Sequence, residues 1–175
     1  MKSRIGAGRL VLCTLIALCL SLSSCASNTS PEGVLEALVE AERGRMGGSI
    51  YSLSADEGER GYISDTALVS IYGFDRTLDG LSEGAIYLSD FCHPVELAVF
   101  LCHSTYAAED IAVYLKSRLN TLYESASESA HFSGISEDEY REYIKGAEVI
   151  VSGRYVALII SSDTREAKRI FCRAV

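Results

Sequence analysis

The run Glu96-Leu97-Ala98-Val99-Phe100-Leu101-Cys102-His103 constrains the fold more than any other stretch of this chain. Neighbouring side chains of a strand point to opposite faces, and here both faces are apolar: Leu97, Val99 and Leu101 on one, Ala98, Phe100 and Cys102 on the other. The spacing therefore predicts a central strand. Ser104 and Thr105 offer caps for a helix over about 106–124, with Glu109 and Asp110 near its positive end. Ile111, Tyr114, Leu115, Leu119 and Leu122 form a stripe along it that must cover a sheet face.

The same order of patterns recurs around this core. Residues 85–89 precede the central strand with a period of two, and residues 147–151 and 155–161, rich in Val and Ile, read as two more strands joined through Ser152-Gly153. Asp163 and Glu166 make a capping pattern for a closing helix that buries Ala167, Ile170, Phe171 and Ala174. A shift of 59 residues superposes Ala98 on Ala157, Thr105 on Thr164, Ala108 on Ala167 and Ile111 on Ile170. The expected architecture is α+β: two strand-strand-helix units forming a four-stranded, mainly antiparallel sheet with helices packed on one face, preceded by N-terminal helices. Those are a helix of about 31–43 opened by Ser30-Pro31-Glu32, and a short one capped by Ser64 and closed by Gly73. Residues 43–61, rich in glycine, read as a loop or neck, and the Ser-rich stretch 123–134 as a loop. Ser136 and Glu139 cap a further short helix ended by Gly146.

With 175 residues the chain has room for one ordinary domain, and 16 Lys+Arg against 24 Asp+Glu disfavour nucleic acid as a partner. The basic residues Lys2, Arg4 and Arg9 open the chain, and the uncharged run from Leu10 to Leu20 follows them. That is the layout of a signal peptide, and eleven residues are too few for a helix crossing a bilayer, which takes about 20. Leu22-Ser23-Ser24-Cys25 comes next and resembles the lipobox of bacterial lipoproteins. The resemblance implies cleavage before Cys25, with a lipid on its sulfur that holds the chain on the extracytoplasmic face of the cell membrane. The expected division is a signal peptide over 1–24, a lipid-anchored helix and flexible neck over 25–61, and an α+β domain over 62–175.

Outside the leader and lipobox the cysteines are Cys92, Cys102 and Cys172, an odd number that cannot be fully paired within the chain. The dipeptides Cys92-His93 and Cys102-His103 carry zinc's preferred ligand types, but adjacent strand residues point apart and no spacing sets two ligands on one turn. No metal and no other cofactor is expected. Cys102 and Cys172 read as core filler.

Taken together, the lipobox, Tyr72-Gly73-Phe74-Asp75, the run Glu96-Leu97-Ala98-Val99-Phe100 with the Arg118-containing helix after it, and Gly153-Arg154-Tyr155-Val156 leading into Leu158-Ile159-Ile160-Ser161 resemble the domain-of-unknown-function 4358 family of small bacterial lipoproteins. The chain departs from that family's lysine after the central strand, having Leu101, Cys102 and His103 there. The resemblance implies fold and location and names no reaction. The functional expectation is a non-enzymatic binding or envelope-assembly module whose partners are the membrane, through Cys25, and an envelope protein or small ligand. The alternative is an envelope hydrolase drawing a carboxylate and a histidine from Asp90, His93, Glu96 and His103, groups that general acid–base chemistry needs at one substrate atom. A transporter's substrate-binding lipoprotein ranks behind both, because its two lobes need a longer chain.

Overall fold

The computed structural model describes residues 29–42, 47–90 and 94–175; Cys25, Cys92 and His93 lie outside them. Five strands form one antiparallel sheet in the order β1-β2-β3-β5-β4: β1 (Gly48–Ser52), β2 (Leu81–Ser89), β3 (Glu96–Cys102), β4 (Glu148–Ser152) and β5 (Tyr155–Ile160). Six helices are seen among the described residues: α1 (Pro31–Glu42), α2 (Asp65–Tyr72), α3 (Thr105–Glu124), α4 (Ala126–Ser133), α5 (Glu137–Gly146) and α6 (Thr164–Ala174). The architecture is α+β, with five strands where four were expected.

The pattern of β3 determines the layering. All seven of its residues are buried, as are all six of β5, its neighbour in the centre of the sheet. A strand pair apolar on both faces needs cover on both. Ala98, Phe100, Cys102, Leu158 and Ile160 pack under α2 to α5, and Leu97, Val99, Leu101, Ala157 and Ile159 pack under α1 and α6. Helices thus lie on both faces and not on one, a consequence of the two-sided strand that the four-stranded expectation did not follow through. The supposed repeat fails on the same point. A two-fold axis between β3 and β5 would leave the helix after each on one face, whereas α3 and α6 lie on opposite faces.

Within 47–61, the described part of the stretch read as a loop or neck, Gly48–Ser52 forms a strand: β1 pairs with β2 from Gly48↔Ser89 to Ser52↔Ala85. Before it, Val34, Leu35 and Leu38 of α1 are fully buried against the sheet. The stretch read as a Ser-rich loop holds α4, which docks through Ala126 and Ala130, one turn apart and both buried. Other ends follow their caps: the Ser64 hydroxyl accepts from the Ala67 N–H, Gly73 closes α2 at φ 80°, and Asp163 accepts from the Glu166 N–H.

The antiparallel register gives the sheet two distinct ends. One holds the starts of β3 and β4 and the finish of β5; the other holds the finish of β3 and the tight turn Gly153-Arg154. The first described residue, Thr29, sits at the second end, on the α1 face: its carbonyl accepts from the Tyr155 hydroxyl (2.8 Å), and its own hydroxyl donates to the Ala174 carbonyl (3.1 Å). From there α1 runs to the first end, where the buried Glu42 carboxylate accepts from the hydroxyls of Ser161 and Ser162.

Candidate functional site

Glu96 opens β3 with even parity, so its side chain shares a face with Ala98 and Phe100 and points toward α3. Arg118 meets it there. Its Nη2 lies 2.9 Å from Oε2 and its Nε 3.4 Å from Oε1, a two-point grip in which the Glu96 side chain is 7% exposed and that of Arg118 20%. Burial pulls the guanidinium toward its neutral form, but the Glu96 charge and hydrogen bonds, with smaller help from Tyr72 and Tyr140, outweigh it and raise the pKa. Arg118 therefore stays charged.

Two tyrosines flank the pair. Burial, then the Glu96 charge, push Tyr72 well above the ordinary phenol range, with Arg118 opposing. Burial also raises Tyr140, against a hydrogen bond from Ser129 and the charge of Arg118. Both phenols therefore stay protonated. The Tyr72 ring is wedged against Phe74 and Phe100, and its hydroxyl, close to Glu96, makes no hydrogen bond of good geometry among the described residues.

A small cleft opens over this cluster, about 190 Å³ in volume, lined among others by Asp90, Pro94, Glu96, Arg118, Ser133 and Tyr140. Sites that enclose drug-sized molecules run to about 300–1,000 Å³, so the cleft suits a small polar group or the side chain of a partner. A second, more open groove of about 440 Å³ runs between α5 and the Ser161–Arg165 segment. The charged residues of its lining are exposed.

Of the four residues singled out for acid–base chemistry, Asp90 and Glu96 line the same cleft. His93 lies outside the described residues. His103 is exposed at the opposite end of β3, its backbone N–H donating to the Gly80 carbonyl. Seven residues of extended chain separate it from Glu96, about 23 Å, so the two cannot act on one substrate atom. Arg118 also engages both oxygens of Glu96, so the carboxylate is taken up by the ion pair.

Among the described cysteines, Cys102 is buried beneath α3, and burial pushes its thiol up to about 11 against a lesser opposing effect of Arg154. Cys172 is exposed on α6, and neither is paired. No group of three His, Cys, Asp or Glu side chains among the described residues is placed to hold a metal ion. No helix among them is long and apolar enough to cross a membrane.

The partner of Glu96 was readable in advance. Arg118 falls three residues after Leu115 and four before Leu122, on the apolar stripe of α3, where a charge must be paired to be buried. Glu42 carried no such signal, because α1 ends there and the hydroxyls it meets are 119 and 120 residues away. Comparison with known families, curated proteins and solved structures gives no match to this chain.

Proposed function

We propose that this protein is a bacterial lipoprotein, akin to the 4358 family, held on the extracytoplasmic face of the cell membrane by lipid on Cys25 and acting there as a non-enzymatic binding or envelope-assembly module. The observation that carries the reading is where the chain enters the fold relative to where its polar cleft lies. Thr29 is fixed at one end of the sheet on the α1 face, and the Glu96–Arg118 cleft lies at the other end on the α3 face. Four residues separate Thr29 from Cys25, a reach of at most about 14 Å. A lipid at Cys25 therefore keeps the start of α1 close to the bilayer and leaves the cleft diagonally opposite, turned toward the envelope.

The chemistry of the cleft suits recognition. The carboxylate of Glu96 gripped by Arg118 and the neutral phenol of Tyr140 give the cleft a preorganised, hydrogen-bonding lining. Incorporating a photo-crosslinking side chain at Asp90, exposed on the rim of the cleft, and irradiating intact cells tests this. One reproducible adduct that is lost when the same side chain is moved to Arg173, on the last turn of α6, supports a binding module at this end. Identical adducts from both positions would argue against it.

A further inference from the structure

The two edges of the sheet are finished differently. On β1 the Ser52 N–H donates to the Gly61 carbonyl, Ser52 bridges to Tyr62, and the backbone at Gly61 passes so near the Ile50 carbonyl that a Cβ there would sit 3.1 Å from it. The segment after β1 folds back over its edge. Among the described residues nothing comparable pairs with the outer edge of β4. The Arg154 carbonyl accepts from the Cys102 N–H, so even-numbered residues of β5 address β3 and odd-numbered ones address β4. Glu148, Ile150 and Ser152 accordingly turn their backbone groups to Ile159, Ala157 and Tyr155, while Val149 and Val151 turn theirs outward. Those outward groups have no hydrogen-bond partner among the described residues.

The strand also lacks the devices that keep edges apart: it has no proline, its register with β5 has no bulge, and its one charge, Glu148, is tied to Lys168 of α6 at 2.6 Å. We propose that β4 pairs with β4 of a second copy, antiparallel about Ile150, joining two five-stranded sheets into one. In that register Val149 faces the second copy's Val151 and the reverse, so that every outward N–H and C=O of the two valines is used, in four hydrogen bonds. Glu148 falls opposite Ser152, and no like charges meet. Sliding the pairing by two residues leaves one valine of each copy opposite a residue outside β4.

The symmetry also fits the anchor. A two-fold axis perpendicular to the sheet keeps α1 of both copies on one face; on the lipid reading, which this point alone rests on, both chains then reach the same bilayer. Two five-residue edges bury less than the roughly 1,000 Å² of a stable interface, so pairing is weak in dilute solution and favoured by confinement to a membrane.

The test uses the full chain in cells, with Cys92→Ser and Cys172→Ala to remove competing thiols. Residues opposed across the axis without mutual hydrogen bonds have Cα atoms about 4.5 Å apart, within disulfide reach. Ile150→Cys is therefore expected to give a linked dimer under mild oxidation, and Ser152→Cys, which faces Glu148, is not. Val151→Pro added to Ile150→Cys removes one outward N–H per copy and no bond within the chain, and is expected to weaken association about 30-fold. Val149→Lys with Val151→Lys, which sets like charges opposite each other without altering the backbone, should suppress the dimer as well. No dimer from an Ile150→Cys chain whose new thiol still reacts with a maleimide, equal dimer from both positions, or a dimer indifferent to the lysines would overturn the proposal. The lipid reading is decided separately, by the mass of the N-terminus.

Discussion

Replacing Arg118 by methionine keeps most of the stem that packs under α3 and deletes the charge facing Glu96. The carboxylate left behind is 7% exposed, has lost contacts at 2.9 and 3.4 Å, and adjoins the Tyr72 hydroxyl, which makes no hydrogen bond of good geometry among the described residues. Removing one member of a buried pair costs about 3–5 kcal/mol; the 20% exposure of Arg118 admits some water, which places the expectation near the lower bound, about 3 kcal/mol. For a chain of this size that is a fall of roughly 6–12 °C in Tm. The double variant Glu96→Met/Arg118→Met removes both charges and fills similar volume, and is expected within about 1 kcal/mol of the parent. Urea unfolding followed by far-ultraviolet circular dichroism reads these differences as midpoint shifts at constant slope. Lys145→Met, which removes an exposed cation paired with the exposed Glu142 at 2.7 Å, serves as the surface control and should barely move the midpoint. An Arg118→Met variant within 1 kcal/mol of the parent, or a double variant whose loss equals the sum of the two single ones, would refute the reasoning.

Gly84→Ala is expected to destabilise by about 1–3 kcal/mol in the same assay, because the added Cβ would lie 2.5 Å from Phe100 Cδ1 and 2.7 Å from Leu53 Cδ1 in a packed core. Gly146→Ala, where a Cβ meets open space, should be neutral or better, and equal losses at the two sites would count against the packing described. Iodoacetamide near neutral pH should alkylate Cys172 and leave Cys102 untouched until denaturant is added, since the buried thiol ionises only at about 11. Peptide mapping that finds both labelled at one rate would contradict the placement of Cys102.

The strands and helices with strong local patterns were legible in the sequence. The two-sided run of β3 and the Ile111-Leu115-Leu122 stripe of α3 needed only periodicity, and the Ser64, Ser136 and Asp163 caps located three helix starts. What escaped depends on distant partners. Strand β1, Gly-Ser-Ile-Tyr-Ser, has little apolar signal and exists because β2 offers it a ladder; α4, Ala-Ser-Glu-Ser-Ala-His-Phe-Ser, is held by two alanines fitting the core. The placement of helices on both faces was implicit in β3 yet ran against the reading of the chain as two equal halves. At the site, Glu96 was singled out as a catalytic candidate on its residue type alone. Its actual setting came from Arg118, 22 residues on, and from Tyr72 and Tyr140, whose apolar spacing conceals the hydroxyls they bring to the cluster.

The proposed function stands on the chain being delivered through the membrane and fastened at Cys25. Intact-protein and N-terminal peptide mass spectrometry on material extracted from the membranes of the producing bacterium tests that directly. The expected result is a chain lacking residues 1–24 whose first residue, Cys25, carries acyl groups on its sulfur-linked glycerol. A chain that retains Met1, or an unmodified Cys25, would contradict it.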